Sequence, residues 1–97
     1  MESSVEHLDI LEKMDRNIAN INLLGLDVTM LKFSIDDALL FKKGFKQIFE
    51  REVESVGRYN GIIARRTKKQ SHIVAMDMSR EYYSRHFDMF SGTEINN

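Results

Sequence analysis

Arg65-Arg66-Thr67-Lys68-Lys69-Gln70-Ser71-His72-Ile73-Val74-Ala75-Met76-Asp77-Met78 is the stretch on which the reading of this chain turns. Arg65 to Gln70 reads as a basic polar loop, and His72-Ile73-Val74 as a short β-prone run. Asp77 then reads as the start of a third, shorter helix, with Met76, Tyr82, Tyr83 and Phe87 as its apolar members. The tail from Ser91 to Asn97 is small and polar, and fraying is expected there.

The residues before this stretch read as helix. Ser3-Ser4-Val5-Glu6 has the pattern of a capping box. Leu11, Met14, Ile18 and Ile21 then recur at helical spacing, and Gly25 is a plausible stop, which places a first helix at about residues 4–24. Leu26 to Phe33 is a linker in which Val28, Met30 and Leu31 favour an extended path. Ser34 is a good N-cap, and Asp36 and Asp37 suit the positive end of a helix dipole. The second helix is read as the longest element. Ala38, Phe41, Phe45, Ile48, Phe49, Val53 and Val56 keep its period, and Tyr59, Ile62 and Ile63 extend it. Asn60-Gly61 favours a turn, so the helix is expected to end near residues 58–64. No internal repeat or domain boundary interrupts residues 1–97, which read as one domain with a core at about residues 8–88.

Composition narrows the class. Hydrophobic residues at 42% and charged residues at 30% suit a folded chain rather than a disordered one. The absence of Cys excludes disulfides, thiolate-held metals and a Cys nucleophile. The absence of Pro favours uninterrupted helices. No apolar run approaches the roughly 20 residues of a membrane-spanning helix. The acidic, polar start is unlike a secretory signal. An intracellular location is therefore expected. Residues 1–40 carry eight acids and three bases, whereas residues 41–70 carry nine bases and three acids. The net charge of −1 thus conceals a basic middle able to face phosphates or an acidic partner.

The order short helix, loop, long helix, loop, short helix resembles the histone fold. Lys68-Lys69-Gln70-Ser71-His72-Ile73-Val74-Ala75-Met76-Asp77-Met78 is similar to the second loop and last-helix start of core and archaeal histones. Ser34-Ile35-Asp36-Asp37-Ala38 is similar to the opening of the archaeal long helix. The likeness covers roughly residues 10–87. It departs from compact histones by a few extra residues around Asn60 to Lys69, and by lacking a strongly basic balance or a Lys-rich tail.

The resemblance implies an all-α histone fold that dimerises through its long and third helices, at Phe45, Ile48, Phe49, Val53, Val56, Tyr82 and Tyr83. The implied partner is another histone-fold chain, a different chain rather than a second copy. The implied function is a chromatin, transcription or kinetochore subunit, nuclear in a eukaryote. It would bind double-stranded DNA without sequence preference through Lys32, Arg65, Arg66, Thr67, Lys68 and Lys69, or scaffold a complex. The same likeness pairs Asp77 with Arg65 or Arg66 in a structural salt bridge, and simple capping by Asp77 is the plainer alternative. From a different class, a small α-helical adaptor or regulator with no nucleic-acid role fits the same amphipathic pattern.

Other chemistry is sparse. His7, His72 and His86 lack metal-ligand spacing and read as surface or interface residues. Tyr82, Tyr83, Phe87 and Phe90 read as packing rather than base-stacking groups. Gly25, Gly44, Gly57, Gly61 and Gly92 are too scattered for a phosphate loop. Nothing assembles a nucleophile, a base and an oxyanion donor, so no enzyme and no cofactor are expected.

Overall fold

The computed structural model describes residues 2–40, 56–81 and 83–95, and the side chains of residues 9–40, 58–81 and 83–95. Over these residues the chain is mixed α/β, not all-α. A helix α1 (Glu2–Leu23) leads into β1 (Asp27–Phe33), and residues 35–40 are helical again. Then come β2 (Val56–Tyr59), β3 (Ile62–Arg66), β4 (His72–Asp77), one 3-10 turn (Met78–Arg80), β5 (Tyr83–Asp88) and β6 (Glu94–Ile95). The strands form one six-stranded sheet in the order β2-β3-β1-β4-β5-β6. β1 and β3 are parallel and the other neighbours antiparallel. This sheet overturns both the all-α expectation and the histone-fold resemblance.

The first helix forms much as its periodicity requires. Met14 is fully buried, Leu11 and Ile21 nearly so, and Ile10 and Ile18 pack at the edge of the same core. The helix ends where expected. Gly25 adopts φ +85°, a conformation open to glycine without strain, and its N–H donates to the Asn22 carbonyl at 3.0 Å. Ser34 also caps as expected, its Oγ accepting from the Asp37 N–H at 3.2 Å. The side chains of Ser3 and Glu6, and with them the proposed capping box, lie outside the described residues.

The second helix departs most from expectation. Phe45, Ile48, Phe49 and Val53, four of the residues assigned to a dimer interface, lie outside the described residues. Val56 instead opens a strand, and Asn60-Gly61 is a hairpin rather than a helix end. Both turn residues have positive φ, 49° and 82°, and Tyr59 pairs directly with Ile62. Positive φ at both centres of a two-residue loop matches the right-handed twist of the flanking strands, so Asn-Gly is a strong hairpin signal. Residues that oppose each other across such a turn are three apart and share a face. That spacing imitates the i,i+3 step of a helix, which explains why Tyr59 and Ile62 read as helical.

The third helix is likewise replaced. Asp77 does cap, its Oδ1 accepting from the Ser79 N–H at 3.1 Å and the Ser79 hydroxyl at 2.6 Å. Only the single turn Met78–Arg80 follows, because Glu81 takes φ +56° and stops it. Tyr83 to Asp88 then forms strand β5, exposed at its start and buried towards its end. Phe87 is buried, whereas Tyr83, another residue assigned to a dimer interface, is exposed. Tyr82 lies outside the described residues. The tail is not frayed through residue 95: β6 pairs with β5 through His86–Ile95 and Phe87–Glu94.

The core lies between α1 and one face of the sheet. That face presents Leu31 and Phe33 from β1, Ala64 from β3, Ile73 and Ala75 from β4, and Phe87 from β5. Paired residues share a face, and the register Ala64–Leu31–Ile73–Phe87 runs across four strands. A bulge at Thr29 keeps both ends of β1 in phase with this core. Val28 pairs with Ala75 and Met30 with Val74, so the extra residue lets Val28 and Leu31 both face α1. At the far end, the turn after β5 tucks under α1. Met89 is fully buried, and its carbonyl accepts from Asn17 Nδ2 at 2.7 Å.

Candidate functional site

The second face of the sheet carries the polar chemistry. Because adjacent strands hold paired residues side by side, the register places Arg65, Lys32, His72 and Asp88 in one row across β3, β1, β4 and β5. Neighbouring strands are about 4.8 Å apart, so the stretch from Arg65 to His72 is about 10 Å wide. His86 lies two residues from Asp88 on the same face. Its ring stacks on that of His72 with centroids 5.3 Å apart and planes inclined by 30°. Residues 67–71 cross the end of β1 on the way from β3 to β4, bringing Lys69 to the same corner. The Thr67 N–H fixes this crossing by donating to the Phe33 carbonyl at 2.8 Å.

The loop is also anchored at its far end. Ser71, itself buried, donates from its hydroxyl to Asp37 and accepts from the Ser34 N–H at 2.9 Å. The Met89 N–H donates to the Ser71 carbonyl at 3.3 Å. These bonds join the start of the second helix, the crossing loop and the turn after β5. Asp37 thus serves the loop as well as the helix end.

His72 is 5% exposed and Nδ1 sits 2.8 Å from the Gln70 carbonyl. A carbonyl only accepts, so Nδ1 carries the proton and Nε2 is left for an incoming donor or, when protonated, for an acceptor. Burial first, and then the neighbouring His72, Lys32 and Lys69, hold the His86 imidazole below its ordinary pKa. Among the described residues no carboxylate forms an ion pair with Lys32, Arg65 or Lys69; Asp88 is instead occupied by Gln70 Nε2 at 3.0 Å and by the N–H groups of Phe90 and Ser91 at 3.2 and 2.9 Å. Among the described residues the corner thus holds three cations against the one carboxylate of Asp88.

Of the residues grouped by the histone likeness, the structure brings together Lys32, Arg65 and Lys69. Arg66 alternates to the face of Ala64, Lys68 lies exposed in the loop, and Thr67 serves to hold that loop. The loop alone is not the unit; strand register makes it one. The histidines show this most clearly, since His72 and His86 are 14 positions apart in sequence yet in ring contact. The expectation of a surface His72 is corrected by its burial. Their contact follows from the pairing of β4 with β5, for which these residues carry no local signal.

Asp77 is at the opposite end of the sheet from Arg65 and Arg66. From His72 to Asp77 is about 17 Å along the strand, and the cation that reaches Asp77 is Arg85, at 3.7 Å. Arg85 also holds Glu94 through two bonds of 2.9 and 2.7 Å, tying β6 to β5. Asp77 is held below its ordinary carboxylate range, first by the Ser79 hydroxyl and then with help from Arg85. Glu94 is lowered first by its bonds from Arg85. An unfolded chain then binds more protons than the folded one as pH falls through and below about 4, so this contribution is full above the ordinary carboxylate pKa and is lost on acidification. Arg85→Met is expected to make the acid unfolding transition shallower, as followed by circular dichroism from pH 6 to 2. An unchanged transition would show that the Arg85 network does not contribute.

No family model matches this chain, and neither a curated protein nor a solved structure matches it. Together with the observed sheet, this leaves a small mixed α/β domain in place of the histone-fold subunit with its chromatin role. The helical adaptor alternative falls with the all-α reading. Among the described residues no helix is long and apolar enough to cross a membrane, and no group of three or more His, Asp or Glu is placed to hold a metal ion.

Proposed function

We propose that this domain is a non-catalytic binding module that takes an anionic group on the second face of its sheet, at Lys32, Arg65, His72, His86 and Lys69. One observation carries the reading: strand pairing sets Arg65, Lys32 and His72 side by side, with His86 stacked on His72. Like charges on adjacent strands destabilise a sheet by a few tenths of a kcal/mol or more, so an anion between them returns stability as well as affinity. Two cations on rigid strands are also better ordered than cations on a free loop. The non-catalytic half rests on the surroundings. Ser71, the buried hydroxyl next to the row, is held by Ser34 and Asp37 rather than by an imidazole base.

Thermal unfolding in sodium sulfate and in sodium chloride at equal ionic strength tests this. Sulfate should raise the midpoint saturably in the native protein, following the ligand-binding relation in which 100 times Kd adds about 2.7 kcal/mol. In Lys32→Gln/Arg65→Gln that saturable gain should vanish. An equal gain in both proteins would reduce the effect to general exclusion of sulfate from protein surfaces and overturn the proposal.

A further inference from the structure

We infer that the anionic group is a phosphate monoester, and that its binding draws a proton onto His86, the imidazole stacked on His72; this rests on the anion-binding reading above. Three cationic groups, Arg65, Lys32 and Lys69, meet at one corner beside the single carboxylate of Asp88, which among the described residues forms no ion pair with them, and this leaves about two positive charges in excess. A single carboxylate or phosphodiester carries one negative charge and leaves half of that excess uncompensated. A phosphate monoester carries up to two and presents three oxygens, enough for the guanidinium, the ammonium groups and an imidazole together.

The proton follows from what surrounds His86. Val74 and His72 of β4 flank it on one side and Ile95 of β6 on the other. Lys32 of β1, Lys69 of the crossing loop and His72 act on it electrostatically, and Arg65 lies one strand further on. The one acidic group of the row, Asp88, spends its oxygens on Gln70 and two backbone N–H groups. Burial, and then the charges of His72, Lys32 and Lys69, oppose protonation of the ring. A dianion reverses the sign of that field. His86 then accepts a proton and donates it in a hydrogen bond to a ligand oxygen. Because His72 Nδ1 is committed to the Gln70 carbonyl, its Nε2 is the atom that turns towards the ligand.

Two consequences are measurable on the native protein. Calorimetric titration with phenyl phosphate at pH 7 in two buffers of different ionisation enthalpy should show net proton uptake. Inorganic sulfate stays a dianion throughout, so it isolates the protein's own titration. Its affinity should tighten by up to roughly tenfold per pH unit between pH 7 and 6, the limit for uptake of one whole proton. His86→Gln should lose the pH dependence of sulfate affinity between pH 7 and 6, whatever affinity it keeps at pH 8. Dimethyl phosphate should bind at least tenfold more weakly than phenyl phosphate. A phosphoserine peptide run beside phenyl phosphate separates a peptide source of the monoester from a small-molecule one, and tighter binding of either supports the class.

Binding of sulfate and phenyl phosphate without proton uptake overturns this inference and leaves the anion-binding module standing. Equal affinity for the diester overturns the monoester assignment. No binding of any of these anions overturns both.

Discussion

Gly92→Ala is expected to destabilise the protein by about 3 kcal/mol, the sum of a strained backbone and a steric clash, each worth about 1–3 kcal/mol. Gly92 has φ +76°, and a Cβ there would stand 2.7 Å from Asn17 Oδ1. Asn17 has little freedom to yield. It is buried, and its Nδ2 is bonded to the Met89 carbonyl in the turn that closes the sheet under α1. Moving it exposes Met89 or leaves that carbonyl unpaired. For a domain of this size the unfolding midpoint should fall by on the order of 15 °C. Gly61→Ala is the control, since Gly61 shares a positive φ of 82° but a Cβ there meets nothing within 4 Å. Its cost should be confined to the turn conformation, about 1 kcal/mol. Equal losses for the two variants would mean that Asn17 does not press on Gly92.

Leu31→Ala is expected to cost about 4 kcal/mol, within the range for emptying a fully buried leucine site. Leu31 is 0% exposed, on the strand that lies between parallel β3 and antiparallel β4, and it pairs with Ala64 on one side and Ile73 on the other. Neither partner can swing into the space. Ala64 has no side chain to extend, and Ile73 is itself fully buried and branched at Cβ. Against a total stability of about 5–15 kcal/mol for a domain of this length, such a loss brings the variant near the edge of folding. Urea denaturation should show a lower midpoint with an unchanged slope. Leu24→Ala is the matched comparison. Leu24 is 65% exposed just past α1, and its truncation should stay within about 0.5 kcal/mol. A small loss at Leu31 would contradict its place at the centre of the core.

The elements that were legible are those stabilised by neighbours close in sequence. The stripe of α1, its stop at Gly25, the cap at Ser34 and the cap by Asp77 all depend on contacts within a few residues. The extended paths at residues 26–33 and His72-Ile73-Val74 were visible too, through their β-prone side chains. Tyr59 and Ile62 were misread because the hairpin turn places them opposite each other three apart, the same interval as a helical turn. Tyr82-Tyr83 and Phe87 were assigned to a helix begun by Asp77, but Glu81 in a left-handed conformation ends that turn after Arg80. The histone likeness built on this misreading. It gathered Lys32 with Arg65 and Lys69 and thereby touched part of the row, while it supplied the wrong partner for Asp77.

By itself the sequence determined the first helix, its stop at Gly25, the turn at Asn60-Gly61 and the polarity of each segment, because these follow from side-chain periodicity, glycine φ preferences and local capping. Only the tertiary structure decided which charges act together. The row Arg65–Lys32–His72 joins positions from three separate segments, and the His72–His86 contact spans two strands. Both depend on strand order and register, which are settled when one sheet face buries Leu31, Ile73 and Phe87 against α1. A one-residue slip would send those side chains to the opposite face and dissolve the cationic row with the core. The physical reason for the site and the physical reason for the fold are therefore the same pairing, seen from the two sides of the sheet.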